Sequence, residues 1–491
     1  MNSIKLKAQA KKLKYYNKNQ DVSSDESAGE LTSEDEELVS SNYVNRIYNN
    51  RYLCIKYLGR GTFSRVWLVL DIIENKFYAM KTIFPKYVEE SQHEIEVNKK
   101  LKLIKPNYIL VMEDSFFDSK RNELCIITKL LGKSVNDLLI FDDDNESIDL
   151  EKESIVLEKE SVEDEHVHED EDENEDEDET NNVSEIPDNF RSPSLRLLKK
   201  FIRDVSAGLC ELHSNNMVHT DLKFENVLID ILSDNLKEIM NKVNELNLCN
   251  KYNELLTKNT PENYNELDKV KKKKLKRKIK DKIIKTLETY LKENNCLKFD
   301  NQESNQEKTQ TIYDLENLNF DTFKFIVIDL GNVEYIDDRV QDEIMMRNYR
   351  PPENIISDYY DCKADMWTLG CLAYEFITNN YLFEVSRKRN SIDRDRYHLH
   401  KMYEYLGKMP KDMSLNSDFS KDLFDKKGNI LKRKKCDFTD IEELLLDEST
   451  YEENEITEIC NFLKKLLVYE PKLRLSSKQC YDNLWLKSLT L

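Results

Sequence analysis

The chain has 491 residues, of which 39% are hydrophobic and 34% are charged, and its formal net charge is −21. This length allows one large domain or two to three smaller ones, and without any apolar run of about 18 residues we expect no membrane span. The ten cysteines form no CxxC pair and no metal-like Cys/His spacing, which favours reduced thiols in a cytosolic or nuclear protein.

The acidity is concentrated in one stretch. Residues 142–180 contain 22 Asp and Glu and two Lys, a net charge of −20, so all other residues together carry −1. Such a run cannot bury a core, and we predict a solvated, disordered insert over residues 142–188. It is interpreted as a spacer, with an internal pseudo-substrate and an attractor of basic partners as the alternatives.

The first part of the chain is expected to be β-rich. Residues 1–42 are polar and predict a disordered tail. From Arg51 onward, short apolar runs are bounded by Gly, Asn and Asp, which predicts antiparallel strands. These runs are YLCIKYLG, SRVWLVLDI, KFYAMKTI, ILVMEDSFF and LCIITKLLG, and between the third and the fourth the segment QHEIEVNKKLKLI predicts a helix.

The later part is expected to be mainly helical. A second polar insert spans residues 232–321 and contains the basic run KKKKLKRKIKDK, interpreted as a nuclear-import signal, a nucleic-acid contact or a charged helix face. From Phe323 the sequence is apolar again, so we expect one α+β core interrupted by two disordered or partly helical inserts. Before the second insert, apolar residues at helical spacing predict an amphipathic helix of about five turns starting near Ser192–Pro193; they are Leu195, Leu198, Ile202, Val205, Leu209 and Leu212.

Two glycines and a lysine suggest an anion site in the first part. In LGRGTFSRVWL, Gly59 and Gly61 lie between predicted strands, where a bare backbone can fold over a phosphate and direct N–H groups at it. The next strand carries Lys81, and Glu94 in the predicted helix is a candidate partner for its ammonium. An ordinary hairpin and a solvated lysine would explain the same residues, so this signal is weak by itself.

Two later motifs carry more chemical information. In HTDLKFEN, Asp221 can accept a proton from a hydroxyl, Lys223 can offset charge on a transferring phosphoryl group, and Asn226 can bind a metal. In FIVIDLGN, a buried-looking strand ends at Asp329, where a carboxylate is costly to bury unless it is paired or binds a metal. Two oxygen ligands for Mg²⁺, a base and two lysines are the set that phosphoryl transfer needs.

In this order and spacing, the motifs resemble those of eukaryotic protein kinases. The resemblance implies a bilobal kinase domain over residues 51–491, with the N-lobe at about 51–131 and the C-lobe at about 132–491. It implies ATP and Mg²⁺ as cofactors. The implied catalytic residues are Asp221, Lys223, Lys81 and Glu94. The implied nucleotide-binding residues are Leu58, Gly59, Gly61, Val66, Ala79, Lys81, Thr128, Leu130, Leu131, Asn226 and Asp329, of which Asn226 and Asp329 would hold the metal.

The resemblance also implies supporting contacts outside these residues. Glu353 in RPPE stands where the activation segment ends and would pair with Arg474 in EPKLRL. Asp365 in ADMWTLGC matches the helix Asp that supports the catalytic loop.

Among kinases, the chain is similar to the SR-protein kinases of the CMGC group. The similarity rests on GRGTFSRVWLVLD, HTDLKFENVLI, IDLGN, RNYRPPE, NNYLFE, RDRYHLHKMYEYLGKMP and FSKDLFDKKGNILK, and on the position of the second insert. LLGKSVNDLL and HSNNMVHTDLK are also similar to LAMMER (Clk-type) kinases. The similarity implies a monomeric kinase of the cytoplasm and nucleus that phosphorylates serines in Arg-Ser-rich splicing factors, with neither nucleic acid as a direct substrate nor membrane attachment.

Several positions depart from the family pattern. Phe224 replaces the usual proline of the catalytic loop, and Met346 stands where a Thr usually bonds near the catalytic Asp and Lys. Two alternatives therefore stay open: a catalytically weak pseudokinase scaffold that binds splicing factors, and a LAMMER-type dual-specificity kinase. In the expected docking groove Tyr397 replaces an acid, while three acids remain nearby: Asp393, Asp395 and Glu404.

One regulatory expectation follows from the residues themselves. The segment 332–353 contains no Ser and no Thr. Thr220 occupies the position at which many kinases carry an Arg that binds an activation-loop phosphate. Because both parts of that switch are missing, we expect activity without Ser or Thr phosphorylation in this segment.

Overall fold

The computed structural model describes residues 43–61, 63–139, 191–294, 296–297, 310–385, 391–432 and 438–488. The expected N-terminal tail, residues 1–42, and the expected acidic insert, residues 142–188, lie outside these residues. The described chain forms a β-sheet lobe followed by a helical lobe, which confirms the predicted α+β bilobal class.

The N-terminal lobe is built on one antiparallel sheet. Its strands have the order β1-β2-β3-β4-β6-β5, and most of their apolar residues are buried because branched and aromatic side chains fit a covered, pleated surface. Helix α1 (Gln92–Ile104) has the bounds that the sequence predicted, and Lys105 ends it in a left-handed conformation (φ 51°). The strands are β1 (Ile47–Tyr48), β2 (Tyr52–Gly61), β3 (Ser64–Asp71), β4 (Lys76–Ile83), β5 (Met112–Asp118) and β6 (Glu123–Lys129).

Most of the remaining described chain is helical. The helices are α2 (Val135–Leu139), α3 (Leu195–His213), α4 (Asp234–Glu245), α5 (Leu248–Asn259), α6 (Lys269–Glu293), α7 (Pro352–Ile356), α8 (Lys363–Thr378), α9 (Ser391–Leu406), α10 (Lys411–Asn416), α11 (Ser420–Leu423), α12 (Ile441–Glu448), α13 (Glu453–Leu463), α14 (Ser477–Tyr481) and α15 (Leu484–Lys487). Except for α4, α5 and α6, they pack with each other in the C-terminal lobe around one large apolar cluster.

Helix α3 forms the centre of this lobe. Of the six apolar residues that predicted an amphipathic helix, five are buried, and Leu195 in the first turn is half-buried. The expected start at Ser192–Pro193 is slightly early, because Ser194 caps the helix by accepting a hydrogen bond from the Leu197 N–H at 3.4 Å. Ser192 instead exchanges two hydrogen bonds with Thr450, at 3.1 and 3.0 Å, and anchors the incoming chain.

Two short sheets hold the segments that carry the polar motifs. Strands β7 (Met217–Val218), β8 (Val227–Ile229), β9 (Phe325–Val327) and β10 (Glu334–Tyr335) form the antiparallel pairs β7–β10 and β8–β9. The motif HTDLKFEN connects β7 to β8, and Asp329 follows β9. The pairing therefore brings these segments side by side, although the second insert separates them in sequence.

The described part of the second insert is helical and packed against the N-terminal lobe. Helices α4, α5 and α6 share an apolar cluster with β2 and β3. In α6 the buried residues Ile279, Ile283, Leu287 and Leu291 recur every four positions, so they form one stripe along the helix. The Ile47 N–H donates to Glu288 Oε1 at 2.9 Å, which adds a polar anchor. Within the described ranges, no helix is long and apolar enough to cross a membrane.

Candidate active site

The two glycines of the predicted nucleotide loop lie at the turn between β2 and β3. Gly59 pairs with Val66, and Gly61 pairs with Ser64 across the hairpin. A Cβ built on Gly59 would meet no described protein atom within 4 Å, so the backbone is open to approach from outside. A hairpin tip of this kind can present N–H groups to phosphate oxygens.

Four of the predicted nucleotide-binding side chains share one face of the sheet. Val66 opposes Lys81, and Ala79 opposes Thr128, in neighbouring strands. Directly opposed residues, and residues two apart along a strand, project to the same side. The strand register therefore brings together residues that the sequence places in three separate runs.

The predicted contacts Leu58, Leu130 and Leu131 lie at the margins of that face. Leu58 precedes Gly59 in β2 and is 38% exposed. Leu130 and Leu131 directly follow β6 and are buried. Leu130 also packs in the cluster that contains helices α4 to α6, so the second insert contacts the segment that links the two lobes, which the sequence did not predict.

An ion network joins the two lobes at the end of this face. Lys81 in β4 donates to both carboxylate oxygens of Glu94 in α1, at 3.0 and 3.2 Å. The same ammonium lies 3.0 Å from Asp329 Oδ1 in the helical lobe. The structure thus places together three of the predicted site residues, and Lys81 bridges the two carboxylates.

The charge states follow from burial and from this pairing. Burial opposes the charged form of Lys81, but Asp329 and Glu94 outweigh burial and raise the pKa of Lys81. The Lys81 ammonium lowers the pKa of Asp329 against the effect of burial. Lys81 is therefore a cation and Asp329 an anion at neutral pH. The backbone of Asp329 is in the left-handed region, with φ 62°.

The polar side chains of the predicted catalytic loop contact one another. Lys223 Nζ lies 3.3 Å from Asp221 Oδ2. The Asn226 amide nitrogen donates to the Asp221 carbonyl oxygen at 2.7 Å and contacts Asp221 Oδ2 at 3.3 Å. No described residue donates a hydrogen bond to Asn226 Oδ1. Burial raises the pKa of Asp221, partly offset by Lys223.

A buried carboxylate supports the loop from below. Asp365, in the first turn of α8, accepts hydrogen bonds from the His219 N–H at 2.9 Å and the Thr220 N–H at 3.2 Å. His213 Nε2 lies 2.8 Å from the same carboxylate. These bonds hold Thr220 at φ 65°, a left-handed conformation that β-branched residues rarely adopt. Asp365 therefore makes the contacts that its position in the sequence implied.

The segment 332–353 is fastened to the catalytic loop without a phosphate. The Thr220 hydroxyl donates to the Asn332 carbonyl at 2.6 Å, and the Met345 N–H donates to the Thr220 carbonyl at 2.8 Å. Farther along, Arg347 pairs with Asp395 of α9 at 2.5 Å. In each contact, a neutral group or a carboxylate of the chain itself is the hydrogen-bond or ion-pair acceptor, so no phosphate is needed.

Two contacts around this segment were not predicted. The Asn332 side chain donates to Asp221 Oδ2 at 3.3 Å, and His93 Nε2 lies 2.6 Å from the Val333 carbonyl oxygen. The only signals in the sequence were their positions, Asn332 at the end of IDLGN and His93 beside Glu94. Neither signal distinguishes a contact from a solvated side chain.

The acids of the expected docking groove are paired within the chain. In α9, Asp393 lies 2.9 Å from Arg396, and Glu404 lies 3.2 Å from Lys401. The third acid, Asp395, is the partner of Arg347 described above. A cationic peptide that docks on α9 would therefore have to displace or share these cations.

Near its end, the segment 332–353 makes a buried tyrosine–glutamate contact with α8. The Tyr349 hydroxyl donates to Glu375 Oε2 of α8 at 2.7 Å. Burial raises the pKa of Glu375 to about 8, even though the hydrogen bond from Tyr349 lowers it. An unfolded glutamate has a pKa of about 4.3. Protonated Glu375 therefore contributes fully to the free energy of unfolding below pH about 4.3, and this contribution is lost as the pH rises towards 8.

Replacing Glu375 by glutamine should remove that loss, because the neutral amide keeps an acceptor for Tyr349 and does not ionise. The free energy of unfolding of Glu375→Gln, relative to wild type, should rise by up to about 1.4 kcal/mol per pH unit between pH about 5 and 8. Urea denaturation at several pH values measures this difference. Glu443→Gln, at an exposed position of α12, should show no trend, and a flat difference for Glu375→Gln would contradict the raised pKa.

Comparison with known proteins finds relatives that are similar in sequence to parts of this chain. Serine/threonine-protein kinase SKY1 of Saccharomyces cerevisiae is 29% identical over 185 residues, which are 38% of this chain and 24% of that protein. SRSF protein kinase 3 of Mus musculus is 29% identical over 35% of this chain and 30% of its own length. The matched region thus spans less than a third of either relative.

A longer match extends over most of the chain. Serine/threonine-protein kinase SRPK of Physarum polycephalum is 23% identical over 90% of this chain and 87% of its own length. The family model described as "Protein kinase domain" matches residues 52–254 and 314–486. These ranges include both lobes and every predicted site residue, and they omit the end of the second insert. By this match the chain belongs to the protein kinase domain family.

Proposed function

We propose that the protein is an ATP-dependent serine/threonine kinase of the SR-protein kinase type, which phosphorylates serines in Arg-Ser-rich proteins. The observation that carries the proposal is the bridge from Lys81 to Glu94 and Asp329, because it places a cation and a carboxylate at one end of the face that holds Val66, Ala79 and Thr128. The three similar kinases described above support the subtype.

In this proposal the nucleotide lies against that sheet face, and its phosphates lie over the hairpin tip, where the backbone at Gly59 is open. Lys81 then offsets phosphate charge. Asn226 and Asp329 would hold Mg²⁺, which supplies charge neutralisation at the transferred group. Among the described residues, no group of three or more His, Cys, Asp or Glu could hold a metal, so the other ligands would be phosphate and water oxygens, as Mg²⁺ commonly retains.

The acceptor serine would meet the catalytic loop. Asp221 can accept the hydroxyl proton or orient the hydroxyl, and Lys223, 3.3 Å from it, can offset charge as the phosphoryl group moves. The contacts from Asn226 and Asn332 hold the Asp221 carboxylate in place. Retention of these groups favours an active enzyme over a pseudokinase scaffold.

A phosphate-transfer assay with radiolabelled ATP and Mg²⁺ tests the proposal. An Arg-Ser repeat peptide should be phosphorylated, and matched Lys-Ser and Arg-Ala peptides should be labelled far more weakly or not at all. Labelling of an Arg-Tyr peptide at a similar rate would favour the LAMMER-type dual-specificity alternative. Absence of labelling on all peptides, with retained binding of the Arg-Ser peptide, would favour the scaffold.

Activity should not require phosphorylation of the segment 332–353. Protein produced in bacteria and treated with phosphatase should keep most of its activity on the Arg-Ser peptide, because hydrogen bonds and ion pairs within the chain hold this segment. Mass spectrometry verifies that phosphate has been removed. Loss of more than about 90% of kcat, restored by a second kinase, would contradict this expectation.

The proposed substrates suggest residence in both cytoplasm and nucleus, and action as a monomer. Imaging of a fluorescent fusion tests the first point, and light scattering during gel filtration tests the second. A stable dimer, or exclusion from either compartment, would require revision of that part of the proposal.

A further inference from the structure

Helix α6 presents a basic face that points away from the protein core. Between residues 269 and 285 the chain contains eleven Lys and Arg and one Asp. Most of these cations are exposed, while the apolar stripe on the opposite side packs against the N-terminal lobe. We define the basic face by the exposed cations that lie on the side of the helix opposite to that stripe: Lys271, Lys274, Lys278, Lys282 and Lys285.

This face has almost no counter-charge in the described part of the chain. Lys271 pairs with Asp268 at 3.2 Å, and the other four members form no ion pair with a described residue. With a rise of 1.5 Å per residue, the face extends about 21 Å along the helix. Like charges at three- and four-residue spacing repel each other on a helix surface, so an anionic partner would relieve the repulsion.

We propose that the acidic stretch 142–180 of the same chain docks on the basic face of α6. Its net charge of −20 complements the cations, and it belongs to the 51 residues between Leu139 and Arg191 that the structure does not describe. Docking would occupy its carboxylates with cations of its own chain. The inference does not depend on the proposed kinase activity.

The attachment points of this stretch are close to the second insert. Leu139 ends α2, and α2 contacts both the catalytic loop and the 3₁₀ turn Ile312–Asn317 near the end of the second insert. Lys133, just before α2, donates to the Gln310 carbonyl oxygen at 3.2 Å. Leu130, nine residues before Leu139, packs in the cluster that holds α6. The acidic stretch therefore begins at a helix that contacts the second insert, to which α6 also belongs.

The reach of the chain is ample. At about 3.3 Å per extended residue, half of 51 residues spans about 80 Å, several times the length of the basic face. Because both partners belong to one chain, their effective concentration is on the order of millimolar. Exposed charges interact over a Debye length of about 10 Å at 0.1 M salt, so the docking should weaken strongly with added salt.

Two matched variants of the full chain test the proposal. Lys274, Lys278, Lys282 and Lys285 are replaced together by glutamine, which removes four charges and keeps helix propensity; in the second variant the same four are replaced by arginine, which keeps the charges. A glutamate-specific protease then cleaves the acidic stretch at low salt. Cleavage of the glutamine variant should be at least threefold faster than that of wild type, and the arginine variant should behave as wild type.

Carbodiimide cross-linking supplies an independent readout. In wild type at low salt, mass spectrometry should find cross-links from residues 142–180 to lysines of α6, and these should decrease at least fivefold at 0.5 M salt. Equal cleavage rates for the three proteins, or cross-links mainly to other lysines, would overturn the proposal.

Nucleic acid is the competing partner for such a face. Filter binding with polyuridine RNA distinguishes it. Weak RNA binding that does not differ between wild type and the glutamine variant supports docking within the chain. RNA binding that falls more than tenfold in the glutamine variant, without cross-links to the acidic stretch, would assign the face to nucleic acid instead.

Discussion

Replacing Asp329 by asparagine is expected to lower kcat on an Arg-Ser peptide by about 10³-fold, the scale seen when one preorganised charge-stabilising group is removed. Asparagine has the same shape and tolerates the φ of 62° found here, so the fold should be retained. It lacks the charge that pairs with Lys81 at 3.0 Å and that the proposed Mg²⁺ would need. The radiolabelled ATP assay measures the loss.

The matched control is Asp337→Asn, at an exposed position in the segment 332–353. It should keep the activity of wild type. Equal melting temperatures for the two variants would show that any loss in Asp329→Asn is chemical. More than a tenth of the wild-type kcat in Asp329→Asn would contradict the role proposed for this carboxylate.

Replacing Arg474 by methionine should destabilise the helical lobe by about 3–5 kcal/mol, the range for removing one partner of a buried ion pair. The Arg474 side chain is fully buried and donates to both Glu353 carboxylate oxygens, at 2.8 and 3.0 Å. It also donates to the Val468 carbonyl oxygen at 2.9 Å. Methionine fills much of the volume but leaves the Glu353 carboxylate buried without a cation. Thermal and urea denaturation measure the effect.

Adding Glu353→Gln to this variant should recover part of the lost stability, because the buried group is then neutral. An exposed pair provides the control: Lys478 lies 2.7 Å from Asp482 at the surface, and Lys478→Met should leave the melting temperature nearly unchanged. If Arg474→Met melted like Lys478→Met, the buried pair would not stabilise the fold as argued here.

The local elements were predictable where a pattern repeats over neighbouring residues. Helix α1 has the predicted bounds, and α3 is amphipathic as expected. In α3, apolar residues recur with the 3.6-residue period of a helix over neighbouring turns, so a local pattern is enough to predict it. The start of α3 was predicted slightly too early, at Ser192–Pro193, because Ser192 and Ser194 can both cap a helix and only their tertiary partners distinguish them. Thr450, far along the chain, engages Ser192.

The packing of the second insert was not predictable. The sequence of α6 shows an apolar stripe and a basic run, but a stripe indicates only that the helix covers something. Its partner, the face of β2 and β3 next to Leu130, is known only from the structure. The docking acids were likewise visible as charges, while their internal partners, such as Arg396 and Lys401, depend on how α9 is oriented.

By itself the sequence determined the kinds of chemical groups, their order, and the resemblance that these imply, because motif residues lie close together in the chain. Only the tertiary structure decided which groups meet. Lys81 and Asp329 are 248 positions apart and come within 3.0 Å because strand register, the β8–β9 pair and the packing of two lobes all place them there. Such long-range contacts depend on cooperative packing of the whole chain, which no local pattern of residues encodes.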